Sequence, residues 1–128
     1  MQLTKAEEQI MQILWEIEEA TVQDILKHFT ESKPARTTIA TILSILENKG
    51  FVEHQTEGRT NIYKATVSKE DYSKKQLFGF VKNYFNGSFS SMISFFAKET
   101  NLSIEEMDQL LEETKNALIE EENNNKKG

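Results

Sequence analysis

The fold class that the sequence predicts is mainly α with a small β-hairpin, and three observations predict it. Two amphipathic helical patterns occupy residues 4–29. A hydroxyl-rich helical pattern follows at 36–46 and stops at Lys49-Gly50. Two strand-like segments, 51–56 and 61–67, then flank Glu57-Gly58-Arg59-Thr60. Three helices followed by a two-stranded hairpin with a basic tip is the order of a winged helix-turn-helix. A phenylalanine-rich helical region completes the chain and is expected to form a helical dimerisation domain. The expected divisions are a winged-helix domain at 1–70, a dimerisation domain at 71–122 and a frayed polar tail at 123–128.

Thr4 and Glu7 have the spacing of a capping box at a helix start. Ile10, Ile13, Leu14 and Ile17 then recur with the period of a half-buried helix, with Trp15 near its end. Ala20 and Thr21 break that pattern. Thr21 can cap a second, short helix carrying Val22, Ile25, Leu26 and Phe29. Glu31-Ser32-Lys33-Pro34 reads as a turn, and the ring of Pro34 suits the turn or the first positions of a third helix. Ile39, Ile42, Leu43 and Leu46 form the buried stripe of that helix, and Gly50 fits the position just past its end. In the hairpin, Gly58 supplies the turn glycine, and 62–67 brings β-branched and aromatic residues. Beyond a boundary at 68–72, helices are expected at 73–85, at 88–100 and after the capping box of Ser103 and Glu106, with Asn86-Gly87 as a turn signal.

Composition narrows the function. The chain lacks cysteine, which excludes a disulfide framework and thiolate metal sites. No run approaches the roughly 20 apolar residues needed to span a bilayer, and no signal peptide pattern opens the chain. A soluble cytoplasmic protein without membrane insertion is expected. The net charge of -6 is unevenly placed. Residues 33–69 hold six basic residues against three acidic, while those beyond Lys75 hold five against nine. A nucleic acid responds to the field at the contact face rather than to the total.

An enzyme is hard to build from these residues. The two histidines, His28 and His54, lie on different elements, and there is no Gly-rich phosphate loop and no HExxH motif. No cofactor and no metal are expected. The third helix instead places Thr37, Thr38, Thr41 and Ser44 beside or opposite its apolar stripe. Short hydroxyl side chains allow close approach to base edges and phosphates, and a threonine methyl can touch a thymine methyl. Arg59 at the hairpin tip suits a phosphate or minor-groove contact, and Lys33 and Arg36 can add phosphate contacts. The alternatives are a winged helix that meets a protein instead of DNA, and a ligand-regulated member of the same fold.

Six of the eight phenylalanines lie between Phe78 and Phe96. Three short helices have too little interior for so many rings. Aromatic residues and methionine favour interface cores. Phe78, Phe85, Phe89, Met92, Phe95, Phe96, Leu110 and Leu111 are therefore expected at a homodimer interface; the alternative is that they cover the N-terminal domain.

The residues Thr38-Ile39-Ala40-Thr41-Ile42-Leu43, Leu46, Lys49-Gly50, Gly58-Arg59 and Ile62-Tyr63 resemble the penicillinase-repressor family of BlaI/MecI-type repressors. The opening Leu3-Thr4-Lys5-Ala6-Glu7, Ile13-Leu14-Trp15, Phe85-Asn86-Gly87-Ser88-Phe89 and Leu102-Ser103 agree with it. The resemblance implies a bacterial repressor of transcription that binds palindromic double-stranded operators as a homodimer. It also implies a membrane sensor-protease partner and inactivation by cleavage in the dimerisation helices, where the corresponding bond joins Phe95 to Phe96. The family's usual cut follows an asparagine, and Phe95 stands in that place. Many relatives carry a basic residue where this chain has Ile45. A copper-responsive branch uses a C-terminal cysteine cluster, which this chain lacks.

Overall fold

The computed structural model describes residues 3–127. Its elements run α1 (Lys5–Ile17), β1 (Glu19–Ala20), α2 (Val22–Lys27), α3 (Arg36–Asn48), β2 (Val52–Glu57), β3 (Thr60–Ala65), α4 (Lys69–Phe85), α5 (Phe89–Glu99) and α6 (Ile104–Lys127). The chain divides into two compact units, one ending at Leu77 and the other starting at Phe78. The division falls inside α4, later than position 70.

The N-terminal caps of α1 and α2 form reciprocally. The Thr4 hydroxyl accepts from the Glu7 N–H at 3.2 Å, and the Glu7 carboxylate accepts from the Thr4 N–H at 2.7 Å. Thr21 and Asp24 repeat the arrangement at the start of α2, at 3.0 and 3.1 Å. The second box is invisible to a search for glutamate or glutamine three residues after the cap, because a shorter aspartate serves. These bonds stabilise the ionised carboxylates. The Lys49 ammonium, then the Thr4 backbone, hold Glu7 below the usual carboxylate range against the opposing effect of burial. The Thr21 backbone and then its hydroxyl lower Asp24.

The expected hairpin is part of a three-stranded antiparallel sheet of order β1-β3-β2. The additional strand, β1, pairs Glu19 with Lys64 and Ala20 with Tyr63. β2 and β3 pair from Val52–Ala65 to Glu57–Thr60. That register leaves Gly58 and Arg59 as the turn. Gly58 has φ +62 at the first central position, where a type II′ hairpin requires glycine. Gly50 has φ +84 just past α3, so the left-handed exit expected there is present.

Leu3, Ile10, Met11, Leu14, Ala20, Ile25, Ile39, Leu43, Leu46, Val52, Tyr63 and Tyr72 form one buried cluster. Every element from α1 to the first turn of α4 contributes to it. Trp15 lies at its edge, donating from Nε1 to the Val67 carbonyl at 2.8 Å and packing against Tyr72 at 5.5 Å between ring centroids. α3 is thereby held on its Ile39–Leu43–Leu46 face, and its opposite face is left outside.

Two expectations for the second half need correction. The first C-terminal helix starts at Lys69, four residues before 73, because the Ser68 hydroxyl accepts from the Asp71 N–H at 3.0 Å and caps it there. α6 runs as far as Lys127, through the segment expected to fray from residue 123, although its three asparagines are weak helix formers; Gly128 lies outside the described residues. Elsewhere the second unit follows its punctuation. Asn86 and Gly87 turn the chain with φ of 52 and 81. Ser103 and Glu106 form their capping box.

Candidate nucleic-acid interface

The site is a helix face and a hairpin tip on one unit. α2, the loop through Lys33 and Pro34, and α3 form the helix-turn-helix. α3 carries Thr37, Thr38, Thr41 and Ser44 exposed while Ile39, Leu43 and Leu46 are buried. Asn48 is exposed on the same side, and sequence reasoning missed it; its place seven residues after Thr41 was the available signal. The Thr41 hydroxyl donates to the Thr37 carbonyl at 2.9 Å. Its proton is committed to its own helix, and its oxygen can still accept.

Lys33, Arg36 and Arg59 are exposed, and among the described residues no carboxylate pairs with them. Arg36 opens α3, which has no side-chain cap at Ala35. The positive balance expected for residues 33–69 is partly consumed by pairing. Lys49 holds Glu7 and Lys64 lies 3.4 Å from Glu53. The cations left unpaired include the three named for phosphate contacts.

The hairpin tip is stiffened by the Thr56 hydroxyl, which donates to the Asn61 side-chain carbonyl at 2.7 Å on the opposite strand. A further bond ties the hairpin to α3. Glu47 near the end of α3 pairs with His54 on β2, and the His54 ring lies 5.3 Å from Tyr63 on β3. Sequence reasoning noted His54 only as lying on a different element from His28. The seven-residue interval between Glu47 and His54 crosses a turn, so periodicity gave no sign of the contact.

The C-terminal residues named for an interface are only partly covered within one chain. Phe78 meets Phe89 edge to face at 5.6 Å, and Phe85 meets Phe95 at 5.7 Å. Phe80, which sequence reasoning left out, packs on Tyr84 and Phe85. Phe95 and Phe96 nevertheless remain 55% and 54% exposed, Phe78, Phe89, Leu110 and Leu111 are exposed, and Phe85 and Met92 are half-buried. Among the described residues beyond Leu77, Val81 alone is buried. Among the described residues no acidic or histidine cluster could hold a metal ion. No helix among them is long and apolar enough to cross a membrane.

Comparison with known proteins shows the family of the chain. A family model described as penicillinase repressor matches residues 3–116. A penicillinase repressor of Bacillus licheniformis is 28% identical over 127 residues, covering 98% of this chain and 95% of the relative. The methicillin resistance regulatory protein MecI of Staphylococcus aureus is 26% identical over 110 residues, covering 85% and 89%. Among solved structures, RosR of H. salinarum shares the fold at TM-score 0.51 and 22% identity, over 77% of this chain and 92% of that one. The DNA-binding domain of the repressor BlaI aligns at TM-score 0.49 and 29% identity, over 56% and 88%. The two relatives' names are those of regulatory proteins, neither that of an enzyme. With nearly its whole length matched, this chain belongs to the penicillinase repressor family.

Proposed function

We propose that the chain represses transcription by occupying a palindromic operator in double-stranded DNA as a homodimer. The observation that carries this reading is the division of α3 into a buried stripe and an exposed, uncharged hydroxyl face, followed by a hairpin tipped with Arg59. α3 enters the major groove, where Thr37, Thr38, Thr41 and Ser44 approach base edges and phosphates. Lys33, Arg36 and Arg59 contact the backbone and set the register. Exposed Phe78, Phe89, Phe95, Phe96, Leu110 and Leu111, with half-buried Phe85 and Met92, support pairing of the C-terminal units of two chains. Pairing joins two weak half-sites into one specific contact. The repressor names of its relatives support the same reading.

Induction would act on the pairing. A membrane sensor-protease system is the partner this family reading suggests, and the bond between Phe95 and Phe96 is the candidate cleavage point. That bond lies within α5, so a protease needs local opening of the helix to reach it.

The test is binding to a duplex from the chain's own upstream region, measured between about 50 and 200 mM salt. Affinity should fall steeply with salt as counterions are released. Absence of binding at low salt would favour a winged helix that meets a protein.

A further inference from the structure

We propose that Ile45 is a specificity-determining residue that reads the 5-methyl group of thymine in the major groove. The inference rests on the DNA reading given above and deepens it. Ile45 is 41% exposed although it lies within α3, because Ile39, Leu43 and Leu46 already fill the core side. Thr41 and Thr38 precede it by four and seven residues, so the three form one stripe along the helix. The Thr41 hydroxyl is turned back to the Thr37 carbonyl. A side chain that has given its proton to its own helix offers a base edge its methyl group and an acceptor oxygen, but no donor. At Thr41 and Ile45 the stripe therefore presents methyl groups where a reading helix would present donors.

The surrounding charge suits the same occupant. Thr37, Thr38, Thr41, Ser44, Ile45 and Asn48 include no acidic residue, and the nearby carboxylate of Glu47 is paired with His54. A phosphate offers nothing to an isoleucine. Among the base edges of the major groove, the thymine C5-methyl is the apolar feature, and no other base carries it. Ile45 next to Thr41 matches that feature by contact rather than by hydrogen bonding.

The experiment uses the full chain and a random-sequence duplex pool. Duplexes enriched by binding at low salt are sequenced, and each thymine in the enriched site is replaced singly by deoxyuridine, which lacks the methyl. Ile45→Ser is measured in parallel; serine matches isoleucine in helix propensity, and the position is exposed, so folding should be unaffected. We expect at least one thymine whose methyl loss weakens the wild-type complex about fourfold, the ratio that one buried methyl corresponds to. For Ile45→Ser the same replacement should change nothing, and its affinity for the thymine duplex should already be lower by that ratio. An enriched site at which no methyl matters overturns the assignment and leaves the DNA reading standing. So does a methyl effect that survives in Ile45→Ser. Failure to enrich any duplex, with no salt-dependent binding, overturns both. The deoxyuridine series on the wild type decides the first point without the variant.

Discussion

The Lys49 ammonium donates to both carboxylate oxygens of Glu7, at 2.9 and 2.8 Å, although Glu7 is only 3% exposed. Glu7 lies in the first turn of α1 and Lys49 ends α3, so the pair joins the start of one helix to the end of the other. Lys49→Met would leave a buried carboxylate without its charge partner. Stability should fall by about 2–3 kcal/mol, at or below the lower end for fully buried pairs, because the Lys49 side chain keeps 25% exposure. A shift in the urea midpoint at constant slope measures it. An unchanged midpoint would mean that the Thr4 bonds satisfy Glu7 alone.

Acid should act through the same carboxylate. Glu7 titrates below its ordinary value when folded, chiefly through the Lys49 hydrogen bond, and Asp24 does so through Thr21. A depressed folded value gives stability that is fully present above the unfolded value and is lost as pH falls through the folded one. Urea midpoints should hold steady down to the ordinary carboxylate range, then decline as pH falls below it. Lys49→Met should decline less over the same interval. Parallel curves for the two proteins would count against Glu7 as the origin.

At the hairpin tip, Arg59→Ala should weaken binding to all duplexes alike, by about 1 kcal/mol, and reduce the salt slope by about one ion. Fluorescence anisotropy on an operator and on a scrambled duplex reads both quantities. Unchanged affinity and slope would remove Arg59 from the interface.

On α3, Thr41→Ala should cost on the order of 1 kcal/mol on the operator and less on scrambled DNA. Equal losses on both would mean that Thr41 positions the backbone without reading sequence.

In the C-terminal unit, Phe89, Met92 and Phe96 share one stripe of α5, with Phe95 beside it. Phe96→Asp should shift the protein from dimer to monomer at micromolar concentration, since losing one buried ring costs about 3 kcal/mol or more. Operator binding should fall with it while the N-terminal unit stays folded. Sedimentation decides: a wild-type monomer, or a variant that remains a dimer, would assign the rings to a core within one chain.

What was legible in the sequence was local. Capping residues, apolar periods and glycine positions located α1, α2, α3 and the hairpin within a few residues, because each signal acts over one or two turns. β1 escaped because two residues, Glu19 and Ala20, carry no period, and their pairing with Lys64 and Tyr63 comes from far along the chain. The capping role of Glu7 was readable at a spacing of three; its partner Lys49, 42 residues away, was not. The residues proposed to meet DNA were nameable because hydroxyl side chains stood opposite an apolar stripe. The folded geometry added what pattern could not: the Thr41 proton is already spent on Thr37, and Glu47 is held by His54.

Val81, the single side chain buried beyond Leu77 among the described residues, bears on how the protein behaves in quantity. In the proposed dimer a segment so poor in interior would take much of its stability from association, and association follows mass action. Once two chains pair, the melting temperature of that segment rises with protein concentration. A fall in that concentration would then loosen the segment itself as well as its pairing. Operator occupancy would drop more steeply than the molecule count, and a small change in supply would be felt as a large change in repression.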